Sequence, residues 1–340
     1  MTNDVLIRKE GLAGRITLNR PEALNALSYE MVLAMESALV EWRDDPSVRC
    51  VIVDGAGEKA FCAGGDIEEM YQTGKAGDYA YGQKFWKDEY RLNAMIARYP
   101  KPYVALIHGF VMGGGVGVSC HGSHRVVTTS AKIAMPECGI GLVPDVGGTY
   151  LLGKAPGYLG EFLGMTGYRM NAADAILAGF ADDHIPDEAK DDLIEALCDT
   201  GDLSFVETFA KEPDDSTLIP SLEGIDLAFT RRDASEILAS LEGLEDDWAV
   251  AAVKALKRND PLAVECTLQL VRRARVDMRI EDALAGEYAY TSKAMEHGDF
   301  LEGIRAAIID KDRNPKWKHP NLEAVPAALI EKMLAPVEGA

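Results

Sequence analysis

The sequence predicts an α/β protein with parallel strands and a mainly helical C-terminal region. Strand-like and helix-like segments alternate over the first 107 residues, as βαβ connections do. The apolar, β-branched run Pro102 to Ile107 reads as a buried strand and feeds a glycine-rich turn, Gly113, Gly114 and Gly115. From about Gly157 to Ile194 the pattern becomes mainly helical, and polar stretches around Pro213-Asp214-Asp215 suggest a junction near residue 200.

Taken in order, Val5 to Leu18 holds two strand-like pieces broken by Gly11 and Gly14, consistent with a hairpin. Ser28 fits the N-cap of a helix whose apolar residues are Met31, Ala34, Met35, Ala38, Leu39 and Trp42, the spacing of a core-facing stripe. Cys50 to Val53 is the next strand. Phe61-Cys62-Ala63 then leads into Gly64-Gly65-Asp66 at the mouth of a helix over Ile67 to Tyr71. Either this is a tight turn with Asp66 as helix cap, or the Gly65 N–H faces that of Gly114 to hold one oxygen. Tyr79 to Tyr99 reads as a helix whose Glu89 is by default solvated. Asp260 to Met278 reads as a helix with a cationic face, Arg272, Arg273 and Arg275. Arg305, Lys311, Arg313, Lys316 and Lys318 form a basic cluster, either a solvated face or a place for phosphates.

Composition bounds the function. The chain has 340 residues, 47% hydrophobic and 26% charged, which is globular and too apolar for disorder. A net charge of −20, from 55 acidic and 35 basic residues, argues against a nucleic-acid or anionic-membrane surface. The six cysteines form no CxxC pair and no metal-ligand spacing with histidine, so buried thiols in a reducing compartment are expected. The first residues, MTNDVLIRKEG, lack the features of a signal or transit peptide, and no apolar run reaches membrane-spanning length. A soluble cytoplasmic protein is the expectation.

A strand followed by a glycine turn and a helix N-terminus presents free N–H groups at the positive end of a dipole, where a developing negative charge is stabilised. Downstream lie two carboxylates, Glu137 and Asp145, in an otherwise apolar segment. Glu137 alone reads equally as a helix cap or half of an ion pair, and Asp145 as a turn initiator. Together with oxyanion donors they form a candidate reaction centre, because burying unpaired carboxylates costs several kcal/mol and needs a reason.

Four stretches, RITLNRPEALNAL, KAFCAGGDI, HGFVMGGGVG and AMPECGIGLVPDVGG, occur in this order over residues 15–155. With them the chain resembles the crotonase (enoyl-CoA hydratase/isomerase) superfamily. Its EYRLN at 89–93, GGGVGVSCHGSHRV at 113–126 and GIRAAIIDKDRNPKW at 303–317 are closer to the 3-hydroxyisobutyryl-CoA hydrolase branch than to hydratases. The resemblance implies a spiral of ββα turns, expected over residues 1–200, followed by a helical region over 201–340. It implies a thioester oxyanion held by the N–H groups of Gly65 and Gly114.

A typical hydratase places one catalytic glutamate two residues after the GGG. Here that position is Gly117, while the second glutamate persists as Glu137 and Asp145 stands where hydratases usually have glycine. Hydrolysis of a β-hydroxyacyl-CoA thioester is therefore expected, as in valine catabolism. Glu137 either attacks the carbonyl or activates water, the resemblance implying attack; Asp145 positions water or exchanges the proton; Glu89 binds the substrate hydroxyl. CoA is part of the substrate, so no separate cofactor and no metal is expected. The expected partner is an acyl-CoA small molecule, and a homo-oligomer is compatible with the sequence. An enoyl-CoA hydratase or isomerase is the runner-up, and a non-catalytic acyl-CoA-binding protein is the reading from another class.

Overall fold

The computed structural model describes residues 3–276 and 278–337. Two compact units interleave along the chain: Met1–Asp66, Asp88–Ala134 and Arg169–Thr217 form the first, and Ile67–Lys87, Met135–Tyr168 and Leu218–Ala340 the second. The units thus do not meet at a single boundary near residue 200, because helical segments before that point group with the later helices.

The first unit contains the described strands. A hairpin, β1 (Val5–Glu10) and β2 (Ala13–Leu18), starts the larger sheet. It continues in parallel through β3 (Cys50–Gly55), β5 (Tyr103–Ile107), β7 (His124–Thr128) and β9 (Asp183–Ile185). Three short strands, β4 (Ala60–Cys62), β6 (Phe110–Met112) and β8 (Lys132–Ala134), form a second parallel sheet. Three successive turns of the chain, β3–β4, β5–β6 and β7–β8, each lay one strand in each sheet before the next helix, the spiral of ββα turns that the resemblance implies. Both faces of the central strands are buried, which is why they read as unbroken apolar runs rather than alternating ones. On one face Cys50, Ile52, Val104, Leu106, Val126 and Ile185 pack against Leu193 and Leu197 of the Lys190–Thr200 helix.

Local signals place the helices. Ser28 Oγ accepts from the Met31 N–H and caps the Tyr29–Arg43 helix, whose buried stripe is Met31, Val32, Met35, Ala38, Leu39 and Trp42. Asp66 does not cap the next helix: Ile67 is its N-cap, and the Asp66 carboxylate instead pairs with Arg20 at 3.0 Å.

In the second unit, Asp260 accepts from the N–H groups of Leu262 and Ala263 and, with Pro261 behind it, starts the Pro261–Ala274 helix. That helix's expected cationic face is spent internally: Arg272 and Arg275 both approach the buried Glu161 carboxylate. The basic cluster beyond residue 300 is likewise partly engaged. Arg305 is wrapped by Glu302, Asp310 and Asp312, and the Lys318 ammonium donates to the His297 and Gly298 carbonyls. Past β9 every described element is a helix.

Candidate active site

In the first unit, the glycine turns after β4 and β6 lie side by side. Leu27 donates to the Gly64 carbonyl at 2.9 Å and accepts from the Asp66 N–H at 2.7 Å. In such a parallel bridge the intervening residue, Gly65, directs its own N–H away from Leu27. Gly114 is the first residue of the Gly114–Ser119 helix, behind Gly113 at φ 47°, a conformation that favours glycine. The first donors back to Gly113 are Val116 and Gly117, which leaves the Gly114 N–H outside the helical ladder. A Cβ on Gly115 would overlap the Cys62 carbonyl, so only glycine lets the helix start this close to β4.

A Cβ built on Gly114 would lie 3.4 Å from the Gly65 nitrogen and 2.9 Å from Glu89 Oε1. Glu89 thus sits beside the two glycines, and at 3% exposure it is buried, not solvated. The Ala80–Ala97 helix that carries it is fixed by neighbouring pairs: Tyr29 donates to Asp88 at 2.5 Å, and Arg91 bridges Asp88 and Glu36. This constellation can hold one oxygen with two backbone donors and present a carboxylate to a nearby polar group.

We expect Gly114→Ala to lower turnover of a substrate whose oxygen is held between the two glycines by up to about 100-fold, because the added methyl enters the space between Glu89 and the Gly65 N–H. Circular dichroism should remain that of the wild type, and unchanged kinetics would contradict an oxygen site there.

The second unit carries the other carboxylates. Glu137 opens a 3-10 helix, Glu137–Ile140, behind Pro136. Its side chain is buried, Oε2 has no hydrogen-bond partner, and no described ion pair involves it. Burial first, then the neighbouring Asp145 and Glu287 charges, push its pKa well above the ordinary 4.5. Asp145 is buried at the head of a tight turn, where its carbonyl accepts from the Gly148 N–H at 2.6 Å. Val146 follows at φ 53°, a strained position for a β-branched residue that costs on the order of 1–3 kcal/mol, and Gly147 at φ 79° completes the turn.

Glu287, on the Ile280–Ala294 helix, is the acidic group that sequence reasoning missed. Its carboxylate is fully buried and accepts from Gly147 N at 2.8 Å and Thr149 N at 2.9 Å, and from the Thr149 hydroxyl. Burial raises its pKa to about 8, opposed by those three hydrogen bonds and reinforced by Asp145. Its place on the helix's core-facing stripe with Ala283, Leu284, Tyr290 and Thr291 is the one signal in the sequence. Three carboxyl groups around one turn form a coupled set able to store and pass a proton.

The enoyl-CoA hydratase/isomerase family profile matches residues 13–334. A 3-hydroxyisobutyryl-CoA hydrolase from Rattus norvegicus is 40% identical over 335 residues, covering 95% of this chain and 86% of that protein. One from Gallus gallus is 38% identical over 345 residues, covering 98% and 89%. Two solved structures, an enoyl-CoA hydratase from Rhodobacter sphaeroides and a carnitinyl-CoA dehydratase from Mycobacterium thermoresistibile, are 50% and 44% identical. Each superposes with a TM-score of 0.95, covering 98% of this chain and 98% of the first, and 99% and 98% for the second.

The rat and chicken hydrolases are named as mitochondrial, which corrects the cytoplasmic expectation. Six buried free thiols call for a reducing environment and do not single out one compartment. Profile, relatives and fold agree: the chain belongs to the enoyl-CoA hydratase/isomerase family.

Proposed function

We propose that the protein hydrolyses 3-hydroxyisobutyryl-CoA, and 3-hydroxypropionyl-CoA with it, to the free hydroxy acid and CoA, a step of valine breakdown. The observation that carries this choice over hydration is the exchange of carboxylates. Gly117 stands where a typical hydratase has a glutamate, while Glu137 persists and is joined by a buried Asp145. The curated relatives named for the hydrolase support the same reading over nearly the whole chain, against the hydratase and dehydratase names of the two solved structures. Neither of those names accounts for the loss of a carboxyl at position 117.

In the proposed reaction the thioester oxygen rests on the N–H groups of Gly65 and Gly114. One such donor contributes roughly 3–4 kcal/mol to lowering the barrier. The Glu137 carboxylate attacks the carbonyl carbon, the C–S bond breaks, and Asp145 gives a proton to the departing thiolate. Water then attacks the mixed anhydride, its proton returns to Asp145, and Glu137 is released as carboxylate. No redox step occurs and no cofactor beyond the CoA of the substrate enters.

Glu89 accepts a hydrogen bond from the substrate's β-hydroxyl in this scheme. An acyl group without that hydroxyl leaves a buried carboxylate with a lost bond, which discriminates more strongly than a missing methyl. The hydroxylated thioesters are therefore expected to react at least about 100-fold faster than isobutyryl-CoA. Glu89→Ala should narrow the gap mainly by slowing the hydroxylated pair. Free CoA measured with a thiol reagent across this panel tests the proposal, with loss of enoyl absorbance from crotonyl-CoA as the hydratase arm. Equal kcat/KM for hydroxylated and plain acyl-CoAs would rule out the role of Glu89. No CoA release from any of them would overturn the hydrolase, leaving a hydratase if crotonyl-CoA loses its enoyl absorbance and an acyl-CoA-binding protein if it does not.

A further inference from the structure

We propose that Glu287 is a positioning residue for the reaction of Asp145: it fixes, through both carboxylate oxygens, the turn that aims the Asp145 side chain. The inference rests on the hydrolase reading above and deepens it.

The geometry is specific to that turn. Oε2 takes the Gly147 N–H at 2.8 Å, and Oε1 takes both the N–H of Thr149 at 2.9 Å and its hydroxyl. All three donors lie two to four residues after Asp145, on the far side of Val146, whose φ of 53° a β-branched residue does not hold unaided. One helical turn further along the same helix, the buried Tyr290 hydroxyl donates to the Gly141 carbonyl at 3.2 Å. One face of the Ile280–Ala294 helix therefore grips the chain on both sides of Asp145, at Gly141 and at Gly147–Thr149. A turn built only for stability needs no buried acid, since a neutral acceptor costs less to bury.

The charge matters as well as the bonds. The acidic groups that face Glu287 are Asp145 in the turn and Glu137 at the head of the 3-10 helix. Several basic groups on the elements packed around it are occupied elsewhere: Arg272 at Glu161, Arg273 at Gln269, Arg279 at Asp282, Lys154 at Tyr150, and Lys293 at the Met333 and Ala335 carbonyls. Lys332, on the neighbouring Ala327–Leu334 helix, lies near Lys293. Once ionised, above its pKa of about 8, Glu287 therefore acts on Glu137 and Asp145 without a local counterion among those groups.

Glu287→Gln tests both parts, because glutamine keeps the shape, loses the charge, and turns an NH₂ donor against either the Gly147 or the Thr149 N–H. With 3-hydroxyisobutyryl-CoA, kcat should fall about 10- to 100-fold while KM stays within about twofold, the signature of misaimed rather than absent groups. The rising limb of the kcat/KM–pH profile should move to lower pH, since one of the charges holding Glu137 protonated is gone. Thr149→Val removes only the hydroxyl donor, is nearly isosteric, and should lower kcat severalfold at unchanged KM. A folded Glu287→Gln with wild-type kcat and an unmoved limb would overturn the inference. So would a Thr149→Val enzyme with wild-type kcat, which keeps the test open if the glutamine variant does not fold. Failure of the hydrolase reading looks different, because then the wild type itself releases no CoA.

Discussion

Glu137→Gln is expected to lower kcat for thioester hydrolysis by about 10⁴-fold, the upper range for losing a group that handles bonds or protons in the transition state. Glutamine fills the same buried space, so binding of the CoA thioester, measured by calorimetry, should change little. Stability should hold or rise, because the native Oε2 has no hydrogen-bond partner and burial penalises its charge. The wild-type pH profile carries the same signature. Glu137 must be ionised to attack, and burial, then Asp145 and Glu287, hold its proton well above the usual carboxylate range. Activity should therefore rise with pH through a limb displaced upward from 4.5, and the limb belongs to the coupled set rather than to one residue. Turnover in Glu137→Gln near that of the wild type would remove Glu137 from the chemistry.

How much of this was legible depends on the range over which each residue acts. The Ser28 cap, the Met31-to-Trp42 stripe and the apolar runs of β3 and β5 are set by neighbours a few positions away, and they stand where periodicity puts them. The glycine turns were legible for a related reason: a backbone that must approach Cys62, or adopt the φ of Gly113, has no alternative to glycine. The strands of the second sheet give no local signal of their own, since β4, β6 and β8 have three residues each and cannot display a period of two; only the resemblance, through its ββα turns, implied them. Asp66 looked like a cap by its place after two glycines, but Arg20, 46 residues earlier, claims its carboxylate. Glu89 reads locally as surface, and only the resemblance of EYRLN pointed inward; its burial is decided by where its helix lies against the Gly114 turn. Glu287 is the extreme case. Its partners are 138 and 140 residues away, and only its place on the stripe with Ala283, Leu284, Tyr290 and Thr291 sets it apart from any other helical glutamate.

Asp145→Gly is expected to cut hydrolysis by about 10³-fold, because Glu137 alone would then have to manage nucleophile, proton and water. The substitution spares the turn's own hydrogen bond, which uses the Asp145 carbonyl and not its side chain, and the left-handed residues are Val146 and Gly147, not Asp145. Loss of activity with unchanged circular dichroism therefore reports on the carboxyl. Glycine is also what hydratases usually carry here, so the variant removes one of the two features that separate this chain from them. Adding Gly117→Glu removes the other, yet should not restore hydrolysis, because a carboxylate at that position handles the proton of an added water across a double bond and not that of a departing thiol. The double variant, where it folds around a helix whose residues are all buried, should at most gain trace hydration of crotonyl-CoA. Asp145→Asn, which keeps the volume, should match the glycine variant in CoA release. Full hydrolase activity in either single variant would mean that Asp145 serves only the turn, and that Glu137 completes the reaction without it.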